Sequence, residues 1–329
     1  MYKIVVDIYG ADAGIEPVVK GVAKAIDLGI DIFPVMVGKG EDIVSIFDEL
    51  AIPRDKYEII DTDKFITNND PPTCIFGAND DCSMAMAYAR LKSDPLCVAM
   101  LSAGNTGALL VGSICRLGLL PGLKFPALVS ALPCNMAGSD LVCLVDCGAN
   151  VDCTANDLAR FAKMGNVFAK SYCGIQSPRV GLMNVGREKG KGNTLVREAF
   201  EKCSELGINF VGNLEGSDLV SGYADVIVTD GFSGNIILKN AEAVGKAAMA
   251  IVERLSAEEN AELCKKITDA LFETFDFNSR GGATFLGPKK TVVKMHGCAN
   301  TDTTVASIEQ IIRLAKANFS EEMAKVMAN

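Results

Sequence analysis

Apolar residues along the chain alternate between short continuous runs and longer, spaced stripes. Lys3–Asp7, Asp31–Val37, Tyr57–Ile60 and Leu96–Leu101 are compact aliphatic runs, the pattern of strands buried on both faces. The stripes between them predict helices over Pro17–Leu28, near Glu41–Leu50, over 82–92 and over 106–117. Pro17 suits the first turn of its helix. The alternation continues with strands at Ala127–Leu132, Leu141–Val145, Arg179–Met183, Asn209–Val211 and Asp225–Val228. Leu158, Phe161, Ala162, Gly165, Phe168, Ala169 and Tyr172 share one helical face, which makes that helix the plainest element of the chain. From Ile236 to about Phe275 the strand pattern stops, and two helical patterns follow one another, broken near Ser256–Asn260. This excursion, about 236–280, is expected to project from the body or to make a subunit contact. A strand at Thr291–Met295 and a helix over about 303–317 complete the pattern. Repeated βα units predict an α/β fold with a mostly parallel sheet and helices on both faces. Without repeats or a flexible linker, the reading is one domain over 1–329.

Composition narrows the class. The chain has 329 residues, is 49% hydrophobic and has no Trp, so aliphatic side chains must fill the core. Its net charge of −9 argues against nucleic acid, which would be met by a basic stripe. The same charge gives no general attraction to an anionic membrane. Twelve Cys are present, but no pair has Cys-x-x-Cys spacing and His296 is the only histidine. A zinc site is therefore not expected. Cys82, Cys97, Cys115 and Cys173 lie in apolar periodic segments, where thiols act as small hydrophobes. The N-terminal residues read as a strand rather than a signal peptide, so a reducing, cytoplasmic setting is expected.

Candidate chemistry lies at strand C-terminal ends, where open α/β sheets bind ligands. Ser102, Gly104, Asn105, Thr106 and Gly107 form the turn after strand 96–101. There, backbone N–H groups at a helix start can hold an anion. Asp146, Asn150 and Asp152 follow strand 141–145; Asn184, Lys191 and Asn193 lie in the turn before the next helix. Asp230, Ser233, Asn235 and Lys239 follow strand 225–228, and the turns Gly281–Gly287 and His296-Gly297 complete the set. Local turn-making also selects Asx and Gly, yet repetition at the ends of one sheet exceeds that need. Phosphate-loop and dinucleotide spacings are not met: Gly186–Gly192 lacks Gly-Lys-Ser/Thr, and Ile43 stands where a third glycine would follow Gly38-Lys-Gly40. No covalent nucleophile is evident, because Ser102, Thr106 and Ser233 have no neighbouring histidine in sequence and the cysteines fit the core. A reaction in which phosphate itself attacks needs only positioning, a proton acceptor and oxyanion donors. His296, or a carboxylate, is the candidate base.

The segments carrying these turns, in this order, resemble the bacterial phosphate acyltransferase (PlsX) family of fatty acid and phospholipid synthesis. They are Val6-Asp7-x-x-Gly10, SAGNTGALL at 102–110, LVDCGANVDC at 144–153, FAKMGNVFA at 161–169, PRVGLMNVG at 178–186, KGN at 191–193, INFVGNLEG at 208–216, DGFSGNIILK at 230–239, GGATFLG at 281–287 and HG at 296–297. The resemblance implies a three-layer αβα Rossmann-like sandwich, shaped like phosphotransacetylases and isocitrate dehydrogenases, and a homodimer. It also implies transfer of a long acyl group from acyl carrier protein to inorganic phosphate, with no metal or redox cofactor. A membrane glycerol-3-phosphate acyltransferase would consume the acyl phosphate. Phosphate would lie among Asn105, Thr106, Asn193, Ser233 and Asn235. Asp146, Asp152 or Asp230 would orient the amides, and Asn105 and Asn235 would donate to the transition state.

Two departures qualify that implication. Where the family carries a basic run, this chain has Gly77-Ala-Asn-Asp-Asp-Cys-Ser-Met84. The excursion is short and carries Glu253, Glu258, Glu259 and Glu262, so membrane contact is expected to be weak or absent. The alternatives are a phosphotransacylase acting on acyl-CoA, an α/β dehydrogenase, and a catalytically silent scaffold of lipid synthesis.

Overall fold

The computed structural model describes residues 1–77, 80–134, 141–256, 261–275 and 281–328. They fall into two compact units, Met1–Leu128 with Gly281–Asn329, and Val129–Arg280.

In the first unit the strands are β1 (Tyr2–Asp7), β2 (Ile32–Gly38), β3 (Glu58–Asp61) and β4 (Cys97–Ser102), joined late in the chain by β10 (Ala283–Leu286) and β11 (Thr291–Lys294). Their order is β3-β2-β1-β4-β11-β10. All neighbours run parallel except β10 and β11. Helices α1 (Glu16–Asp27), α2 (Gly40–Glu49), α3 (Ser83–Ser93), α4 (Thr106–Gly112), α9 (Thr301–Lys316) and α10 (Phe319–Ala328) accompany them. Ile4, Val6 and Ile8 join a cluster with Val18, Val22 and Ile308 of α1 and α9. The intervening Val5 is equally buried, so both faces of β1 are covered, as its unbroken apolar run demands. Pro17 opens α1 with Glu16 in its first turn and Lys24 in its last, which suits the helix dipole. A Cβ on Gly21 would lie 2.3 Å from Thr304 Cβ, so glycine is what lets α1 and α9 approach so closely.

In the second unit β5 (Ala127–Pro133), β6 (Leu141–Val145), β7 (Val180–Met183), β8 (Phe210–Leu214) and β9 (Val226–Val228) take the order β5-β6-β9-β7-β8. Only β5 and β6 are antiparallel. Helix α5 (Ala155–Phe168) begins with a capping box in which Thr154 and Asp157 satisfy each other's backbone N–H. Its predicted face is buried, with Gly165 against Val226 of β9. The remaining helices are α6 (Thr194–Ser204), α7 (Gly231–Ser256) and α8 (Ala261–Phe275).

The α/β class with a mostly parallel sheet holds, and the differences are local. The turn expected at Gly281–Gly287 contains β10, whose Ala283–Phe285 pair with Val292–Lys294; a four-residue strand flanked by glycines is too short to show periodicity. A further helix, α10, follows the expected last one. Helix α7 starts at Gly231, inside what reads as a turn, because Asp230 caps it. The π-helical segment Ser113–Leu117 extends α4 and exposes Cys115, which the sequence places in the core. The expected break at 257–260, with Glu258 and Glu259, lies outside the described residues. No helix among those described is long and apolar enough to cross a membrane.

Candidate active site

Parallel strands β1, β4 and β11 are neighbours, so Asp7, Ser102 and the residues after Lys294 meet at one sheet edge. Asp7 is buried and accepts from Ser102 Oγ at 2.8 Å; that oxygen in turn accepts from Gly104 N at 3.0 Å. Burial pushes the Asp7 carboxyl up to about 6, against the smaller opposing effects of Ser102, Ser83 and the Tyr9 N–H. Gly10, at φ +99°, sits so close that a Cβ on it would fall 2.3 Å from Gly104 Cα. Two glycine turns therefore touch backbone to backbone above a buried carboxylate. Asp7 was not among the site residues expected from sequence; an acid ending a continuous apolar run was the available signal.

Asn105 is committed to structure. Its Oδ1 accepts from Ala108 N at 3.0 Å, capping α4, and its Nδ2 donates to the carbonyls of Thr67, Asn68 and Asp70 at 3.2, 3.3 and 3.1 Å. Thr106 and Gly107 begin the helix, where first-turn N–H groups have no helical acceptor. Gly107 lies under Pro72, whose Cγ would be 2.5 Å from a Cβ. The acidic stretch that replaces the basic run is compensated from elsewhere in this unit. Lys64 pairs with Asp81 and Arg116 with Asp80, while residues 78–79 lie outside the described set. A cavity of about 540 Å³ opens at the ends of β2 and β3, with Lys39, Asp61, Thr62 and Lys64 in its wall.

His296 is half-buried, and its Nδ1 is 3.0 Å from Cys298 Sγ. The sequence fits the cysteines to the core, but Cys298 is exposed. Histidine and cysteine two residues apart around a glycine was the signal.

In the second unit β6, β9 and β7 are parallel neighbours. Asp146 is fully buried; its Oδ1 accepts from Gly148 N and Ala149 N at 3.1 and 3.0 Å, its Oδ2 from Asn150 N and Nδ2 at 2.8 and 2.7 Å. The carboxylate shapes its own turn. Asp230, expected as catalytic, accepts from Ser233 N at 2.8 Å and Ser233 Oγ at 3.0 Å, the geometry of a helix cap. A Cβ on Gly234 would lie 1.9 Å from Asp146 O, and one on Gly231 2.5 Å from Asn150 O, so the turn and the start of α7 pack backbone to backbone. Beside them Asn235 is exposed, its amide 3.4 Å from where a Gly148 Cβ would stand.

Lys239 pairs with Glu242 at 2.9 Å. Asn184 Nδ2 donates to Lys191 O at 3.1 Å, closing the following loop, and Asn193 caps α6 through Val196 N at 2.9 Å. Lys191 and Asp152 are exposed. The structure thus gathers Ser102, Gly104, Asn105, Thr106, Gly107 and His296 in the first unit. In the second it gathers Asp146, Asn150, Asp230, Ser233, Asn235 and Lys239. Among the described residues no group of three or more His, Cys, Asp or Glu side chains is placed to hold a metal ion. Both edges suit a polar anion met by backbone N–H groups, amides and scattered lysines.

The chain matches the fatty acid synthesis protein family over residues 2–322. It is 35% identical over 327 residues to the phosphate acyltransferase of Clostridioides difficile, covering 98% of this chain and 95% of that protein. It is 36% identical over 316 residues to the phosphate acyltransferase of Caldanaerobacter subterraneus subsp. tengcongensis, covering 94% and 92%. Among solved structures it is similar to a phosphotransacetylase from Streptococcus pyogenes, with TM-score 0.67, 20% identity, and 96% and 94% of the two chains covered. A branched-chain phosphotransacylase from Enterococcus faecalis gives TM-score 0.58 at 14% identity, covering 95% and 98%. Those two show the α/β fold; the sequence match along nearly the whole length shows more: the chain belongs to the phosphate acyltransferase (PlsX) family of fatty acid synthesis proteins.

Proposed function

We propose that this protein transfers a long acyl group from an acyl carrier protein thioester to inorganic phosphate, releasing acyl phosphate for phospholipid synthesis. The observation that carries this reading is the chemistry of the strand-end edges. Their turns offer backbone N–H groups, amides and lysines to an anion, and they belong to a chain that matches phosphate acyltransferases over nearly its whole length. Phosphate supplies the nucleophilic oxygen, so the protein has to orient it and stabilise the tetrahedral oxyanion.

We assign Ser233, Asn235, Lys239, Asn184, Lys191 and Asn193 to anion binding on the second unit, with Asn235 donating to charge that develops in the reaction. Asp146, Asn150 and Asp230 hold that edge in shape. Ser102, Gly104, Thr106 and Gly107 form the corresponding anion-binding turn of the first unit, Asn105 positions that turn, and His296 handles the proton. The protein works in this reading as a cytoplasmic homodimer, at most peripheral to the membrane. It needs no metal or redox cofactor, and a membrane glycerol-3-phosphate acyltransferase uses its product.

The test is thiol release from palmitoyl carrier protein with and without phosphate, with palmitoyl-CoA in parallel. Phosphate-dependent release from the carrier protein supports the proposal. Release from CoA alone makes the protein a phosphotransacylase of acyl-CoA, and release from neither leaves a silent scaffold.

A further inference from the structure

We propose that Cys298 and His296 form a nucleophile–base pair that takes the acyl group covalently before phosphate receives it. The inference rests on the reading of the donor as an acyl thioester. Nδ1 of His296 is 3.0 Å from Cys298 Sγ and 3.3 Å from Cys298 N. A backbone N–H can only donate, so Nδ1 is the unprotonated nitrogen of the ring and the neutral tautomer carries its proton on Nε2. The thiol proton therefore faces a lone pair at hydrogen-bonding distance, the arrangement that activates a cysteine.

Four further features fit. Cys298 is exposed, whereas Cys82, Cys97, Cys134, Cys143, Cys147 and Cys203 are buried. It lies two residues before Asn300, the N-cap of the 16-residue α9. The intervening turn is held in place, since Asp12 N donates to Gly297 O at 2.7 Å and a Cβ on Gly297 would meet Asp12 Oδ1 at 2.9 Å. The chain has one histidine, and it stands beside this cysteine.

The chemistry balances without a co-reactant. The thiol proton passes to Nδ1 and the thiolate attacks the donor carbonyl. The tetrahedral adduct expels the donor thiolate, which takes the proton from the imidazolium and leaves as free thiol. A phosphate oxygen then attacks the Cys298 thioester. Acyl phosphate departs, and the phosphate proton returns through His296 to the Cys298 thiolate. One thioester is exchanged for another, so the first step is close to energetically neutral.

The experiment uses the full-length protein with palmitoyl carrier protein and no phosphate, quenched in acid and analysed by intact mass and peptide mapping. One acyl group per chain is expected, on Cys298, released by neutral hydroxylamine and converted to acyl phosphate when phosphate is added. Cys298→Ala should abolish the label and lower phosphate-dependent turnover on the order of a hundredfold or more. His296→Gln should slow labelling and alter its pH profile. Cys115→Ala, at the other exposed thiol, should label normally. Phosphate-dependent turnover of Cys298→Ala at the native rate, with no label on the native protein, would overturn the pair and leave the acyltransferase reading standing. Native protein that neither labels nor releases thiol would overturn both. Labelling without phosphate-dependent turnover would support the pair and refute phosphate as acceptor.

Discussion

Replacing Asp7 by asparagine keeps the shape of a fully buried side chain and removes its charge. Ser102 Oγ still has an acceptor in the asparagine Oδ1. The carboxyl titrates at about 6 in the folded protein against an ordinary 3.8, because burial penalises its charge. The folded protein therefore binds this proton more tightly than the unfolded chain. Its contribution is fully present below about pH 4 and is lost as pH rises through about 6. A shift of about two units at 1.36 kcal/mol each makes that loss about 3 kcal/mol. Asp7→Asn has no such group, so its stability relative to the native protein should rise by about 3 kcal/mol between pH 4 and pH 7.5. Urea unfolding at several pH values reads this as a difference in midpoint that widens by about 1–3 M. All other titrating groups are common to both proteins and cancel in the difference. Parallel midpoint curves across that pH window would refute the reasoning, and with it the claim that an ionised carboxylate is buried beneath the Gly10–Gly104 contact.

Asn235→Ala should lower phosphate-dependent turnover by about a hundredfold with an unchanged urea midpoint, since the side chain is exposed; native turnover would remove the residue from the mechanism. Asn105→Ala forfeits the α4 cap and three bonds to the 67–70 loop, a cost of about 2–4 kcal/mol measurable by urea denaturation. Gly234→Ala must displace Asp146 O and should cost about 3 kcal/mol in the same measurement. Gly190→Ala is its control, because nothing lies within 4 Å of that added Cβ, and its midpoint should barely move.

Much of the fold was legible because strand and helix signals are local. The runs at Lys3–Asp7 and Leu141–Val145, and the stripe from Leu158 to Tyr172, report which faces are covered whatever covers them. Glycine–Asx turns at strand ends were legible for the same reason, and so was the resemblance they carry. What those Asx side chains do was not legible. Asn105, Asn193 and Asp230 all lie in turns that read as binding motifs, yet each caps the helix that follows it, while Asn235, one turn further on, stays exposed. The choice depends on which backbone N–H groups come within about 3 Å, a distance that spacing along a chain does not encode.

The sequence by itself determined the α/β class, the strand-end location of the polar turns and the family. Only tertiary structure decided that Asp7 is sealed from water, since its burial comes from β4 and the Gly104 turn, far along the chain. Only tertiary structure decided that the Gly297 turn, held by Asp12, sets a histidine ring against Cys298. Periodicity specifies what a residue's own element must bury; the environment of a carboxylate or a thiol is made by segments remote in sequence, and appears only when they pack.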